Sequence, residues 1–280
     1  MPLSRGGWRL AVTSGKGGVG KTSVTVHLAS ALAAGGARVG IVDCDLALGN
    51  VDVVMGLSPQ WHLGHVISGD RTLSEILMDG PQGIRIAPAG SGVRSLTALD
   101  ADQWQRLARA CDDFAAQVDV LLLDTASGVS DTVLDVVGLA DCALVVTNFD
   151  PAALVDAYAL IKLIDALDEP PEVGVVVNAA RKAADAETAF RQLSLVSQRF
   201  LGRTLRDAGA ITHDPQLVRQ GPSVTLLGAG PAVGAKRGFQ DLAKRLLTWA
   251  PGTMRPQTRV RPPRAADLAA RIATEVAPCA

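Results

Sequence analysis

Two lysines stand close together in the glycine-rich stretch SGKGGVGKTS, at residues 14–23. The chain has only six lysines against 21 arginines, so the placement of Lys16 and Lys21 asks for a chemical reason. Glycines let successive backbone N–H groups turn towards phosphate oxygens, and a helix that follows adds its positive N-terminal end. The spacing Gly-x4-Gly-Lys-Thr, between an apolar run and a helical pattern, therefore predicts a nucleotide-binding phosphate loop.

Each part of this loop has an expected role. Lys21 would reach the β- and γ-phosphates, and the hydroxyl of Thr22 would bind Mg²⁺. Lys16 lies at the opposite end of the loop, so we expect it to project towards a nucleotide held by a second copy, as an arginine finger does. The nucleotide-binding residues predicted from this stretch are Gly15, Lys16, Gly17, Gly18, Val19, Gly20, Lys21, Thr22 and Ser23.

Carboxylates follow two of the predicted strands. Asp43 ends one buried strand and Asp45 lies two residues further on, so both side chains would point the same way. A second apolar strand ends at Asp124, at the carboxyl edge where ligands of open α/β sheets gather. The oxygen ligands predicted for Mg²⁺ are Thr22, Asp43, Asp45 and Asp124, with support of the loop as the other role open to Asp43.

The elements that must position these residues follow an alternating order. Short apolar runs alternate with longer helical patterns, which is typical of a parallel sheet covered by helices. The predicted strands are 9–13, 39–43, 84–87, 118–124, 143–147 and 173–178. The predicted helices are 22–34, 102–115, 151–167, 187–201 and 236–250. We therefore predict an α/β fold with a mostly parallel central sheet flanked by helices on both faces.

Composition narrows the class of protein. The chain has 280 residues, of which 48% are hydrophobic, and its formal charge is −1, so no global electrostatic attraction to nucleic acid is expected. Its four cysteines form no CxxC pair, which is typical of reduced thiols in a cytosolic protein. We find neither a signal-peptide core nor an uncharged apolar run of about 18 residues, and expect a cytoplasmic protein.

The motif KGGVGKT resembles the deviant Walker A motif of the MinD/ParA-type ATPases, which are P-loop NTPases of the SIMIBI class. The resemblance implies hydrolysis of ATP to ADP and phosphate in a sandwich dimer, with Lys16 crossing the interface. It also implies that Asp45 positions the attacking water and that Asp124 is the Walker B acid. Asn178, at a strand end in GVVVNAARK, would read the adenine edge in this family.

Longer stretches make the resemblance more specific over about residues 8–250. PAGSG after a strand and DAYALIK on a helix look like the flagellar-number regulators of the FlhG/FleN subfamily. This implies a slow ATPase that dimerises with ATP and limits flagellar assembly. The implied partners are a signal-recognition-type GTPase, a transcription activator or switch-ring proteins. Activators of that GTPase carry a glutamine-containing extension before the first strand, and we do not expect GTPase stimulation from the residues that precede it here.

The chain divides into a predicted ATPase domain, 1–250, a proline- and arginine-rich linker, 251–264, and a short C-terminal segment, 265–280. The resemblance implies a helix that docks on the inner face of the cell membrane once ATP has dimerised the protein. Leu268, Ile272 and Val276 would line one helix face over 265–276, but three apolar residues give little insertion energy. A membrane-touching helix and a surface helix or tail both remain open.

Other functions on the same fold are alternatives. A ParA-type partitioning ATPase binds DNA through a basic surface, and the near-neutral composition argues against a nucleic-acid partner. A MinD-type ATPase that positions cell division shares the same nucleotide motifs. A metal-cluster carrier needs paired cysteines, and a scaffold with a dead site would not need the lysines and carboxylates described above.

Overall fold

The computed structural model describes residues 7–90, 99–215, 217 and 233–250. One sheet contains eight strands: β1 Trp8–Ser14, β2 Val39–Cys44, β3 Met78–Asp79, β4 Arg85–Ala87, β5 Val120–Ser127, β6 Cys142–Thr147, β7 Glu172–Ala180 and β8 Arg206–Thr212. They lie side by side in the order β3-β4-β2-β5-β1-β6-β7-β8. All neighbouring pairs are parallel except β3 and β4, which are antiparallel.

Helices connect the strands. They are α1 Lys21–Ala34, α2 Val51–Val54, α3 Leu63–Ser68, α4 Leu73–Ile76, α5 Ala101–Ala115, α6 Asp131–Gly138, α7 Pro151–Asp165, α8 Ala183–Leu201 and α9 Val233–Leu247, with a short 3₁₀ turn at Pro81–Gly83. Local sequence explains where α7 begins. The side chain of Asp150 accepts a hydrogen bond from the N–H of Ala152, and Pro151 occupies the first helical position of α7.

The core has two layers, one on each face of the sheet. Alternate residues of a strand point to opposite faces, and β1 follows this rule. Leu10 and Val12 pack in the cluster that contains Phe239 of α9, whereas Ala11 packs in the cluster that contains Phe114 of α5. Helices α1 and α9 cover the first face, and α5, α6 and α7 cover most of the second.

The predicted α/β fold is confirmed, and each of the six predicted strands overlaps one observed strand. Two edge strands, β3 and β8, were not predicted. The first has only two residues, and the second mixes buried and exposed positions and contains Gly209 at φ +91°. The last helix begins at Val233 and ends at Leu247 rather than at the predicted bounds.

The predicted linker, 251–264, and the C-terminal segment, 265–280, lie outside the described residues. In the described part of the chain, no helix combines the length and the apolar character needed to cross a membrane.

Candidate nucleotide-binding site

The predicted phosphate loop lies at the centre of the sheet, where β1 runs between β5 and β6. The chain moves to one side of β1 to form β2, β4 and β5, and to the other side to form β6, β7 and β8. Ligands of open α/β sheets bind at such a switch point, beyond the carboxyl ends of the strands. Because β1, β2, β5 and β6 are parallel, the loops that follow them all begin at this edge.

The backbone of the loop needs its glycines. Gly18 and Gly20 have φ of +79° and +89°, in the left-handed region that favours glycine, and Gly20 directly precedes α1. Gly15 has a different constraint, since a Cβ at this position would lie 2.1 Å from the carbonyl oxygen of Asp156 in α7. The loop is therefore packed against the backbone of α7 at one end and opens α1 at the other.

Asp124 is the centre of a buried polar cluster beneath the loop. Its Oδ1 accepts a hydrogen bond from the ammonium of Lys21 at 3.1 Å, and its Oδ2 accepts one from the hydroxyl of Thr22 at 2.8 Å. The side chains of Lys21 and Asp124 are only 6% and 1% exposed, so their charges compensate each other away from water. The structure thus brings together three of the residues predicted for phosphate and Mg²⁺.

Thr25 belongs to the same cluster and was not predicted. Its hydroxyl lies 2.7 Å from Oδ1 of Asp124, and its side chain is completely buried on α1. The available signal was its position four residues after Lys21, which is one helical turn on the same face.

The carboxylate of Asp43 accepts hydrogen bonds from the backbone of the loop that follows β2. Its Oδ1 accepts a hydrogen bond from the N–H of Asp45, and its Oδ2 accepts one from the N–H of Val51. Burial and the neighbouring Asp124, its register partner on β5, raise the pKa of Asp43 to about 7. Of the two roles expected for Asp43, support of the loop is the one whose contacts the structure contains.

Asp45 differs from Asp124 in its hydrogen-bond partner. Its Oδ1 accepts a hydrogen bond from the N–H of Leu48 at 3.1 Å, and the residue is half-buried. Asp43 thus accepts hydrogen bonds from backbone and Asp124 accepts one from lysine, whereas Asp45 accepts one from within its own loop.

Lys16 is directed away from Lys21. Its ammonium forms an ion pair with Oδ2 of Asp150 at 2.6 Å, and both side chains are substantially exposed. The hydrogen bond from Lys16 lowers the pKa of Asp150 and, in return, raises the pKa of Lys16. The two lysines of the loop thus have separate surroundings, with Lys16 paired to Asp150 and Lys21 to Asp124.

Asn178 reaches the phosphate loop from β7. Its side-chain N–H donates a hydrogen bond to the carbonyl oxygen of Val19 at 2.8 Å. The next residue, Ala179, has φ +53°, and the register between β7 and β8 shifts at the same place. The irregularity thus lies next to the residue that fastens the loop.

Together, the loop after β1, the buried lysine and the carboxylate of Asp124 on β5 define a P-loop nucleotide-binding protein. The family model described as "CobQ/CobB/MinD/ParA nucleotide binding domain" matches residues 10–214. The chain belongs to this family, and it is a P-loop ATPase of the MinD/ParA type.

Individual proteins agree with this assignment. The chain is 40% identical over 242 residues to the antiactivator FleN of Pseudomonas aeruginosa, a match that covers 86% of each chain. It is 30% identical to the flagellum site-determining protein YlxH of Helicobacter pylori, over 75% of this chain and 71% of that protein. The structure of the septum site-determining protein MinD of Pyrococcus horikoshii, complexed with Mg-ADP, superposes with a TM-score of 0.73 at 22% identity, covering 87% and 97% of the two chains.

Proposed function

We propose that the protein is an ATP-switched dimer that limits the number of flagella, as the FlhG/FleN subfamily does. The observation that carries this proposal is the 40% identity to an antiactivator, FleN, which extends over 86% of both chains. A second relative is a flagellum site-determining protein.

ATP and Mg²⁺ are the proposed ligands of the site. The available donors are the backbone of 15–20, the ammonium of Lys21 and the oxygens of Thr22 and Asp124, and Mg²⁺ prefers such oxygen ligands. Lys21 and Thr22 now donate to Asp124, and an incoming phosphate would compensate the charge of Lys21 while an incoming cation would compensate that of Asp124. The MinD protein from Pyrococcus horikoshii is a Mg-ADP complex on this fold.

Hydrolysis would use three side chains of this protein. Bound Mg·ATP supplies the transferable phosphoryl group and neutralises part of its charge. Lys21 would leave Asp124 and hold the β- and γ-phosphates, while Asp45 would orient the attacking water. Lys16 would stabilise the charge on the nucleotide of the partner copy.

The dimer face would be the carboxyl edge of the sheet. Large apolar side chains are exposed in the loops and helix that border the site: Leu48, Val129, Phe149 and Val155. Apolar residues around a charged centre are typical of an interaction surface. In the dimer, Lys16 would exchange the carboxylate of Asp150 for a phosphate across the interface.

The output would be binding of a flagellar assembly protein: a signal-recognition-type GTPase, a transcription activator or a switch-ring protein. The proposed organisation is an ATPase domain, 1–250, followed by a linker, 251–264, and a C-terminal segment. Residues 265–276 would add a weak contact with the inner face of the membrane, and dimerisation would double that contact.

The test is the number of flagella per cell in a strain that lacks the protein. We expect more flagella in the deletion strain, the normal number after complementation with the wild type, and no correction by Lys21→Ala. An unchanged number and placement would contradict the flagellar assignment. Division-site placement in the same cells then tests the MinD-type alternative, and ATP-dependent retention on DNA at low salt tests the ParA-type alternative.

A further inference from the structure

Three side chains donate hydrogen bonds to Asp124, and they differ in what nucleotide binding would do to them. Lys21 and Thr25 both contact Oδ1, at 3.1 and 2.7 Å, while Thr22 contacts Oδ2 at 2.8 Å. The bond from Thr25 is the shortest of the three. In the proposed function, Lys21 moves to phosphate and Thr22 to Mg²⁺, so Asp124 loses two of these three donors when the ligands arrive.

Within the described residues, Thr25 has no such alternative partner. It lies within α1, its side chain is fully buried, and its hydroxyl reaches Oδ1 of Asp124 and, at 3.2 Å, the carbonyl oxygen of Lys21. A hydroxyl carries one proton. The carboxylate is the closer acceptor and is charged, so the proton goes to Asp124. A threonine that only satisfied its own helix would bond the carbonyl four residues back at the shorter distance.

We propose that Thr25 is a positioning residue that holds Oδ1 of Asp124 so that Oδ2 faces the Mg²⁺ shell. The proposal rests on the proposed function, since it concerns the metal that this site would bind. A carboxylate held through one oxygen loses the freedom to rotate, and its other oxygen keeps a defined direction. Groups that orient a metal ligand in this way affect metal affinity nearly as much as the ligands do.

The experiment compares Thr25→Val with Thr25→Ser and the wild type. Valine has the shape of threonine without the donor, and serine keeps the donor. Binding of a fluorescent ADP analogue is measured in EDTA and then as a function of Mg²⁺ concentration. We expect the valine variant to bind the analogue in EDTA as the wild type does. The Mg²⁺ concentration that gives half of the Mg²⁺-dependent change in binding should be about 10- to 100-fold higher than for the wild type. The serine variant should need an amount of Mg²⁺ close to that of the wild type.

A second buried threonine supplies the matched control. Thr147 is also completely buried, but its hydroxyl donates to the carbonyl oxygen of Ala153, outside the Asp124 cluster. We expect Thr147→Val to leave the Mg²⁺ requirement unchanged. If Thr25→Val does not fold, as judged by thermal unfolding, Thr25→Ala takes its place with the same expectation.

An equal loss of binding by the valine variant in EDTA and in Mg²⁺ would overturn the positioning role. Wild-type protein that binds the analogue but never responds to Mg²⁺ would overturn both this role and the proposed cofactor. A normal Mg²⁺ response in the wild type combined with an unaffected Thr25→Val would overturn the role of Thr25 alone.

Discussion

The ammonium of Lys16 lies 2.6 Å from Oδ2 of Asp150, so the phosphate loop is tied to the residue that caps α7. In the proposed dimer the same ammonium would contact the partner's nucleotide. The pair within one chain therefore competes with the contact between two chains.

Removing the charge of Asp150 should favour the dimer. Asp150→Asn keeps an oxygen that can accept from the N–H of Ala152, so α7 retains its cap while Lys16 loses its ion pair. We expect dimerisation at a few-fold lower ATP concentration, because an exposed ion pair contributes little. Light scattering with Mg·ATP measures this. Glu187→Gln, which removes an exposed ion pair with Arg191, is the control, and weaker dimerisation of Asp150→Asn would contradict the competition.

Asp45→Ala should separate ATP binding from hydrolysis. The side chain accepts a hydrogen bond from Leu48 in its own loop, so we expect its loss to leave the phosphate loop intact. We expect ATP binding and dimerisation to persist while turnover falls by about 100-fold or more, since the attacking water loses its orienting group. Released phosphate and the lifetime of the dimer are the measurements. Asp52→Ala, seven residues further on in α2, is the control; a monomer at saturating Mg·ATP would refute the prediction.

Two roles are open to Asn178, and binding of ATP compared with binding of GTP distinguishes them. Its hydrogen bond to Val19 fastens the phosphate loop, and the family resemblance implies a contact with adenine. If Asn178 reads the base, Asn178→Ala should reduce the preference for ATP over GTP by about tenfold, the loss expected for one hydrogen bond. Equal weakening of both nucleotides would leave only the role in fastening the loop.

His27 should make the stability of the protein depend on pH. Its ring stacks on Phe239 at 5.0 Å, its Nδ1 donates to the carbonyl oxygen of Ser23, and burial lowers its pKa below the ordinary 6.5. The unfolded chain then binds a proton that the folded chain does not, so stability falls as pH drops below about 6.5. This fall should be smaller in His27→Gln than in the wild type.

The melting temperature between about pH 7 and about pH 5 tests the role of His27. His213→Gln alters an exposed histidine at the end of β8 and should keep the wild-type slope. An unchanged slope in His27→Gln would show that burial of this ring does not govern the acid response.

Arg9 should be needed for stability rather than for activity. It is buried at the start of β1, and its guanidinium pairs with Asp112 at 2.6 Å and with Asp141 at 3.4 Å. Arg9→Met leaves the buried carboxylate of Asp141 without its cation, and we expect a loss of about 3–5 kcal/mol in the free energy of unfolding. Urea unfolding measures the loss. Arg38→Met removes an exposed pair with Asp119 and should cost far less.

Much of the fold follows from periodicity, and the exceptions have physical reasons. The central strands are continuous apolar runs because both of their faces are buried, and such runs are easy to recognise. Edge strand β8 has one partner, β7, and mixes exposed and buried residues, so it lacks that signal. The short helices α2, α3 and α4 have too few residues to establish a helical period.

The site was predictable where one segment of chain supplies the chemistry. The spacing of glycines, lysine and threonine predicts the loop at residues 14–23, and the apolar strand before Asp124 indicates that carboxylate. The ion pair between Lys16 and Asp150 joins residues 134 positions apart. It depends on β6 lying beside β1, which no local pattern indicates. The backbone contacts of Asp43 likewise depend on how the chain turns after β2.

Gly15 places the phosphate loop directly against the backbone of Asp156 in α7. A Cβ would have no room there, so a displacement of the loop towards α7 would meet helix backbone and not a flexible side chain. Val155, beside that contact, is 67% exposed on the outer surface of α7. In the proposed dimer, a second copy that packs on Val155 would therefore press on the helix that lies against the phosphate loop.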